Sequence, residues 1–375
     1  MPRAAESAAT ENEHSGSTRG GPDAASRNKW LRSAPVQRLK KRMKPFSRLT
    51  RVCRRTGFRT VAHALLFAAA CQPHAADLHK PIQLIAQQPP GSQSETISRI
   101  WAECASEQIG QPVVVINRPG ANGVIAANYV KQQPADGYTI MTMGMSQIAI
   151  TPYLYRSKPY DPERDFDGVA VLATSSLLLV ASTRSGIRQF SELATRTRDV
   201  AGGLNYGSPG KGSPAHLLAA AVLQSWKADG THVPYVGEAA GVEALLRGDI
   251  DIMVLTSGTA EPLTRHGRAI PLAIYSEARE KAYPKVPTIV ELTGSTQLAR
   301  PGWLALVVKA GTPPELTKRL RDVTAHCARS DLRYRSRLWS VQATPVDPAS
   351  ADVKVWTDRY TAVFRPLIAQ LKLAD

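Results

Sequence analysis

Short apolar runs alternate with amphipathic stretches over nearly all of residues 80–375. The runs Ile82–Ala86, Val113–Ile116, Tyr138–Met143, Val169–Leu172, Leu177–Ala181, Leu204–Tyr206, Ile250–Leu255, Leu272–Tyr275 and Leu304–Val308 are expected to be strands. Helical spacing runs between them, from about Ser94 to Ile109, Val124 to Gln133, Pro214 to Trp226, Glu238 to Arg247 and Pro313 to Ala328. Ser94 with Glu95, and Thr312 before Pro313, suit helix starts; Gly110, Gly230 and Gly248 suit left-handed helix ends. Strand–helix alternation of this kind predicts βαβ units and an α/β protein with mostly parallel sheets. No internal repeat and no helix-turn-helix pattern is present in the sequence.

Ligands of open α/β sheets bind beyond the carboxyl ends of the strands, where loops enter helix N-termini. Three loops qualify. The first is Gln87–Glu95, in which Gly91, Ser92 and Ser94 offer backbone N–H groups and hydroxyls to an anion. The second, Gly144–Gln147, carries Ser146 and Gln147, and the third, Gly207–His216, reads GSPGKGSPAH. Gly207, Gly210 and Gly212 would let backbone approach an anion there, with Ser208 and Ser213 as donors. Taken singly, each loop is more often a plain turn. The third lacks the GK[ST] ending of a nucleotide loop, since Lys211 precedes Gly212.

Catalysis has a thin basis. Ser213 and His216 share a first helical turn, but no acidic orienter and no GxSxG elbow accompanies them. The acidic run Asp161, Glu163, Asp165 and Asp167 is broken by Pro162, Arg164 and Phe166, which favours a solvated turn over a calcium loop. His79, His216, His232, His266 and His326 show no metal-ligand spacing, and no cofactor is expected.

Charge changes the picture of destination rather than of chemistry. The 375 residues hold 47 Lys or Arg and 31 Asp or Glu, a net +16, which by itself suggests a nucleic-acid or membrane-surface partner. Residues 1–76 hold 15 of these basic residues against 4 acidic ones, an excess of +11, leaving only +5 for residues 77–375. Residues 1–42 read as a disordered tail or a start placed too early, with Met43 as the alternative start. Residues 43–76 have the layout of a secretory signal peptide. Basic residues come first, then an 11-residue apolar run, Val61 to Cys71, then Ala75 and Ala76 before Asp77. An amphipathic surface helix or a fused tail is the alternative. Arg54 and Arg55 form an imperfect twin-arginine pair, and Ala68–Cys71 an imperfect lipoprotein box with Cys71 as the acylated residue. Cleavage near Ala76 leaves Cys104 and Cys327, and two free buried thiols are favoured over a disulfide because sequence supplies no distance between them.

Several segments together resemble the Bug family, the periplasmic substrate-binding receptors of tripartite tricarboxylate transporters. They are Pro81–Ala102, Gly110–Ala127, Ala135–Met141, Leu204–Leu217, His232–Met253, Tyr283–Leu292 and Trp303–Leu320. The resemblance implies a two-lobed type II periplasmic binding fold with helices on both sheet faces. Lobe one would be residues 77–181 plus 301–375, lobe two 182–300, with two crossovers as a hinge. It also implies a monomeric, non-enzymatic periplasmic receptor that closes on a small carboxylate and delivers it to integral-membrane transporter subunits. Docking on a sensor kinase is a second reading, a Ser/His hydrolase a third, and nucleic acid is not an expected partner. The cleft residues implied are Gly91, Ser92, Glu95, Ser146, Gln147, Ser208, Gly210, Gly212, Ser213, His216 and Tyr235. This chain departs from the family at Ser92, at Glu95 where relatives carry Asp, at Gln88 where an aromatic is common, and at Val236 where Lys is common. Those departures imply a ligand differing in size or polarity from the commonest family ligands.

Overall fold

The structure, a computed structural model, describes residues 79–199 and 203–374. The expected tail, the leader and Cys71 lie outside the described residues.

Strands β1 (Ile82–Ala86), β2 (Val113–Asn117), β3 (Thr139–Gly144), β4 (Phe166–Ser175), β10 (Gly302–Lys309) and β11 (Thr344–Pro345) form one sheet in the order β11-β4-β10-β3-β1-β2. Strands β5 (Leu177–Ser182), β6 (Leu204–Ser208), β7 (Gly230–Pro234), β8 (Ile252–Thr256) and β9 (Ala269–Ile274) form the second, in the order β7-β6-β8-β5-β9. The sheets are mixed rather than mostly parallel. β1 runs parallel to β2 and β3, and β6 parallel to β7 and β8, while the remaining pairings of named strands are antiparallel. The cause is the route of the chain. A segment that crosses between lobes at the carboxyl ends of the strands enters the next sheet from that end and must run backwards, as β5 and β10 do.

The first crossing consists of Ser176 alone, between the end of β4 and the start of β5. Residues 177–182 therefore pair in the second sheet, and the chain leaves lobe one at Ser176, not after Ala181. The second crossing precedes β10.

The β5 strand shows why this sequence makes a central strand. All six of its residues are buried, with Leu177, Leu179 and Ala181 facing one core and Leu178 and Val180 a second. A strand covered on both faces must be apolar at every position, and the period of two then decides only which layer each side chain joins. Helices α1 (Gln93–Ile109), α2 (Val124–Gln132), α3 (Met145–Ala149), α4 (Glu192–Asp199), α5 (Pro214–Ser225), α6 (Glu238–Arg247) and α7 (Ser257–Arg265) join the strands. They are followed by α8 (Ile289–Thr293), α9 (Pro314–Ser330), α10 (Leu332–Ser340) and α11 (Val353–Gln370).

Local chemistry sets several helix ends differently from the sequence expectation. Ser92, two residues before Ser94, is the N-cap of α1, its hydroxyl accepting the Glu95 N–H at 3.3 Å. Thr312 does not cap α9; its hydroxyl donates to Lys309 O, and Pro313 takes the cap position. Gly110 and Gly248 end their helices at φ 75° and 84°, as expected. Gly230 instead begins β7, because α5 has already stopped at Ser225. The acidic run folds as a turn in which the Asp161 carboxylate accepts the N–H groups of Glu163 and Arg164.

Helices α1 and α9 meet along a seam. Trp101 and Cys104 lie one turn apart on α1, as do Thr324 and Cys327 on α9, so each pair shares a helix face. The Trp101 indole donates to Thr324 Oγ1 at 3.0 Å, and Cys104 and Cys327 are joined as a disulfide. The expectation of two free thiols is corrected: both are buried, but on facing helices, a proximity that only the tertiary fold creates.

Candidate functional site

Loop one turns at Gly91, whose φ of 81° is strained for any residue with a Cβ. The turn leads directly into α1, where Ser92 caps the helix and Glu95 bonds back to the loop. The Glu95 carboxylate accepts the Gly91 N–H at 3.2 Å through Oε2 and pairs with Arg99 Nε through Oε1. Glu95 thus braces the loop with its charge balanced by Arg99.

Loop two is organised by Gln147, which is 1% exposed. Its Oε1 accepts the Gly144 N–H at 3.0 Å and the Gln87 amide at 3.3 Å, and its Nε2 donates to Asn122 O at 3.0 Å. Gln87 in turn accepts from Thr142 Oγ1, which lies 2.9 Å from Ser98 Oγ, and Ser146 Oγ lies 3.5 Å from Thr151 Oγ1. This is a connected network of neutral amides and hydroxyls at the ends of β1 and β3. Each buried polar group has partners, so the network is rigid rather than costly.

Loop three belongs to lobe two. The Ser208 hydroxyl is fully buried, donates to Gly210 O at 2.8 Å, accepts the Gly210 N–H at 3.2 Å, and lies 2.7 Å from His232 Nε2. His232 stacks on His216 with ring centroids 3.6 Å apart and planes within 5°. Burial drives His216 down to about 3, helped by the neighbouring His232 and Lys211, and burial takes His232 to about 4, so both rings are neutral at pH 7. His216 Nδ1 accepts the Gly212 N–H at 3.0 Å, which places the ring proton on Nε2. Ser213 is the N-cap of α5, its Oγ accepting the His216 backbone N–H at 3.3 Å. Ser213 and His216 are therefore parts of a helix start, and neither His216 nitrogen has a free lone pair with which to activate the serine.

The two lobes touch across the cleft. Asn122 Nδ2 of lobe one donates to Lys211 O of loop three at 2.9 Å, and Ser257 Oγ of lobe two donates to Gln342 O at 3.0 Å. Gly212 runs so close to Leu154 that an added Cβ would fall 2.1 Å from it. Gly210 and Gly212 thus lie against Asn122 and Leu154 of lobe one, and Gln147 reaches the same contact through Asn122 O. Tyr235 is placed apart: its backbone N–H bonds to Ser208 O, but its ring packs on Gly207 and Gly241. Burial and then Asp249 push its phenol up.

The sequence pattern that defines the tripartite tricarboxylate transporter family receptor matches residues 97–373. A UPF0065 protein of Bordetella pertussis is 32% identical over 332 residues, covering 88% of this chain and 99% of its own length. The chain belongs to the tripartite tricarboxylate transporter receptor family. Among solved structures, an R. palustris protein with adipate matches this receptor with a TM-score of 0.73 at 28% identity, covering 79% of this chain and 98% of that one. The periplasmic binding protein BugD shares the fold, with a TM-score of 0.71 at 20% identity over 79% of this chain and 99% of its own. The family consists of solute-binding receptors, not enzymes, which agrees with the use of Ser213 and His216 as a helix start.

Residues of this receptor outside the predicted set lie at the same contacts between the lobes. Asn122 sits in the loop after β2, held at φ 50°. The Thr256–Gly258 turn opens α7, with Glu238 Oε1 accepting the Thr256 N–H at 2.7 Å and Oε2 the Thr259 hydroxyl at 2.9 Å. Burial raises the Glu238 carboxyl, against the hydrogen bonds from Thr256 and Thr259, which lower it. Both loops follow strands, and the strand-end rule that selected the other three points to them equally.

Proposed function

We propose that this receptor captures a small dicarboxylate between its lobes in the periplasm and hands it to membrane subunits of a tripartite tricarboxylate-type transporter. The observation that carries the reading is the bond from Asn122 to Lys211 O, which brings the loops of both lobes together over the buried, uncharged Gln87 and Gln147. A closing cleft lined by amides, hydroxyls and the N-termini of α1 and α5 holds an anion with oriented dipoles rather than paired cations. Such binding is tight only when both lobes contribute, so ligand and closure favour each other. The leader-like segment 43–76 and the Cys104–Cys327 disulfide support an exported, oxidising location. The adipate found with the R. palustris relative supports an aliphatic dicarboxylate as the ligand class, and a chain longer than four carbons suits the departures at Ser92 and Gln88.

A thermal-shift screen of aliphatic dicarboxylates from four to eight carbons tests the proposal. Stabilisation that peaks above four carbons is expected. Stabilisation by none of the series overturns the carboxylate reading, and stabilisation only by four-carbon acids overturns the length assignment.

A further inference from the structure

A cavity of about 510 Å³ lies apart from loops one, two and three, and its wall residues Ser176 and Gln342 are hydrogen-bonded to Ser257 at the start of α7. In the first sheet the ligand loops follow β1, β2 and β3, whereas the cavity is bordered by β4, β11 and the turn of α11 that carries Trp356 and Arg359. In the second sheet loop three follows β6, whereas the cavity is bordered by the segment after β9. In strand order, β10 of the first sheet and β5 of the second stand between the two sets. Both crossings, at Ser176 and at Arg300–Pro301, contribute to the wall.

The chemistry of that wall is specific. Arg300 has a buried Nε without a hydrogen-bond partner, and its Nη1 lies 3.9 Å from Glu277 Oε1. Arg359 is exposed and has no ion pair among the described residues. Glu280 accepts the Ser176 hydroxyl, and burial raises its carboxyl. Trp339, half exposed, and Trp356, stacked on Tyr360, add flat apolar surface. Planar guanidinium groups beside indole rings suit a carboxylate carried on a flat apolar body, and the volume is that of a small-molecule site.

We propose that this cavity, on the other side of the hinge crossings from the ligand loops, is a second binding site for a small aromatic carboxylate, and that an occupant, touching both lobes, holds them shut. The site is independent of what the cleft binds. Benzoate is the probe, titrated against tryptophan fluorescence of the full chain. Saturable quenching is expected in the wild type and unchanged in Gln147→Ala, which alters only the cleft. Arg359→Ala, a surface substitution, is expected to weaken it about tenfold or more, with partial rescue by Arg359→Lys. In the Gln147→Ala background, saturating benzoate is expected to lower the radius of gyration measured by small-angle scattering. The site is overturned if quenching does not saturate by roughly 10 mM. It is also overturned if Gln147→Ala abolishes quenching, or if Arg359→Ala leaves it unchanged. An unchanged radius of gyration overturns the effect on closure.

Discussion

His216 and His232 form a neutral stacked pair under loop three, and their protonation state is a stability term. Both pKa values fall below the ordinary histidine value of 6.5, so between that value and about 3 to 4 the unfolded chain binds protons that the folded protein does not. Stability is then complete above pH 6.5 and declines as pH falls. The thermal-unfolding midpoint is expected to drop between pH 7 and 5, before most carboxylates titrate, and His232→Gln should flatten that drop. A midpoint indifferent to pH across this range contradicts the neutral stack. Gln147→Ala strips a partner from Gly144 N–H, Asn122 O and the Gln87 amide. It should cost about 1–3 kcal/mol of stability in a denaturant titration and remove most of the ligand-induced thermal shift. Gly212→Ala adds a Cβ at φ 74° against Leu154, costing about 1–2 kcal/mol from the backbone alone. It should also prop the lobes apart, weakening ligand binding in the same assay.

Among the elements, α1 connects loop one to the α9 seam. The disulfide between them spans 223 residues of sequence, so it restricts the unfolded chain strongly. Replacing both cysteines by serine should lower stability by about 2–4 kcal/mol in denaturant while leaving ligand affinity near wild type, because the bridge lies at the far end of α1 from Ser92. The strands were legible in the sequence because burial on both faces makes a continuous apolar run, as in β5. The edge strand β7, with Gly230 and Thr231 exposed, carries no such run and was not predicted. Helix α11 was readable in principle, since Val353, Thr357, Tyr360, Phe364 and Ile368 recur at helical spacing, yet Pro366 and its charged residues mask the stripe. The disulfide was not readable at all, because pairing depends on two helices meeting on one sheet.

For the whole molecule, two sheets of like strand order are joined by crossings as short as Ser176, and the site lies between them. The strand-end rule picked three loops from the sequence, but not the internal hydrogen bonds that hold them. Ser92, Glu95, Ser208, Ser213 and His216 are expected in the cleft, and in the fold each also makes hydrogen bonds that build its own loop. Which polar groups remain for a ligand depends on local hydrogen bonds that composition does not encode. The central claim is that the cleft, organised by Gln147, takes one small dicarboxylate. Calorimetric titration of the full chain with adipate, beside Gln147→Ala, tests it most directly. The account predicts one cleft site in the micromolar range or tighter, severely weakened in the variant. No binding of adipate to the wild-type protein, or equal binding to both proteins, would contradict it.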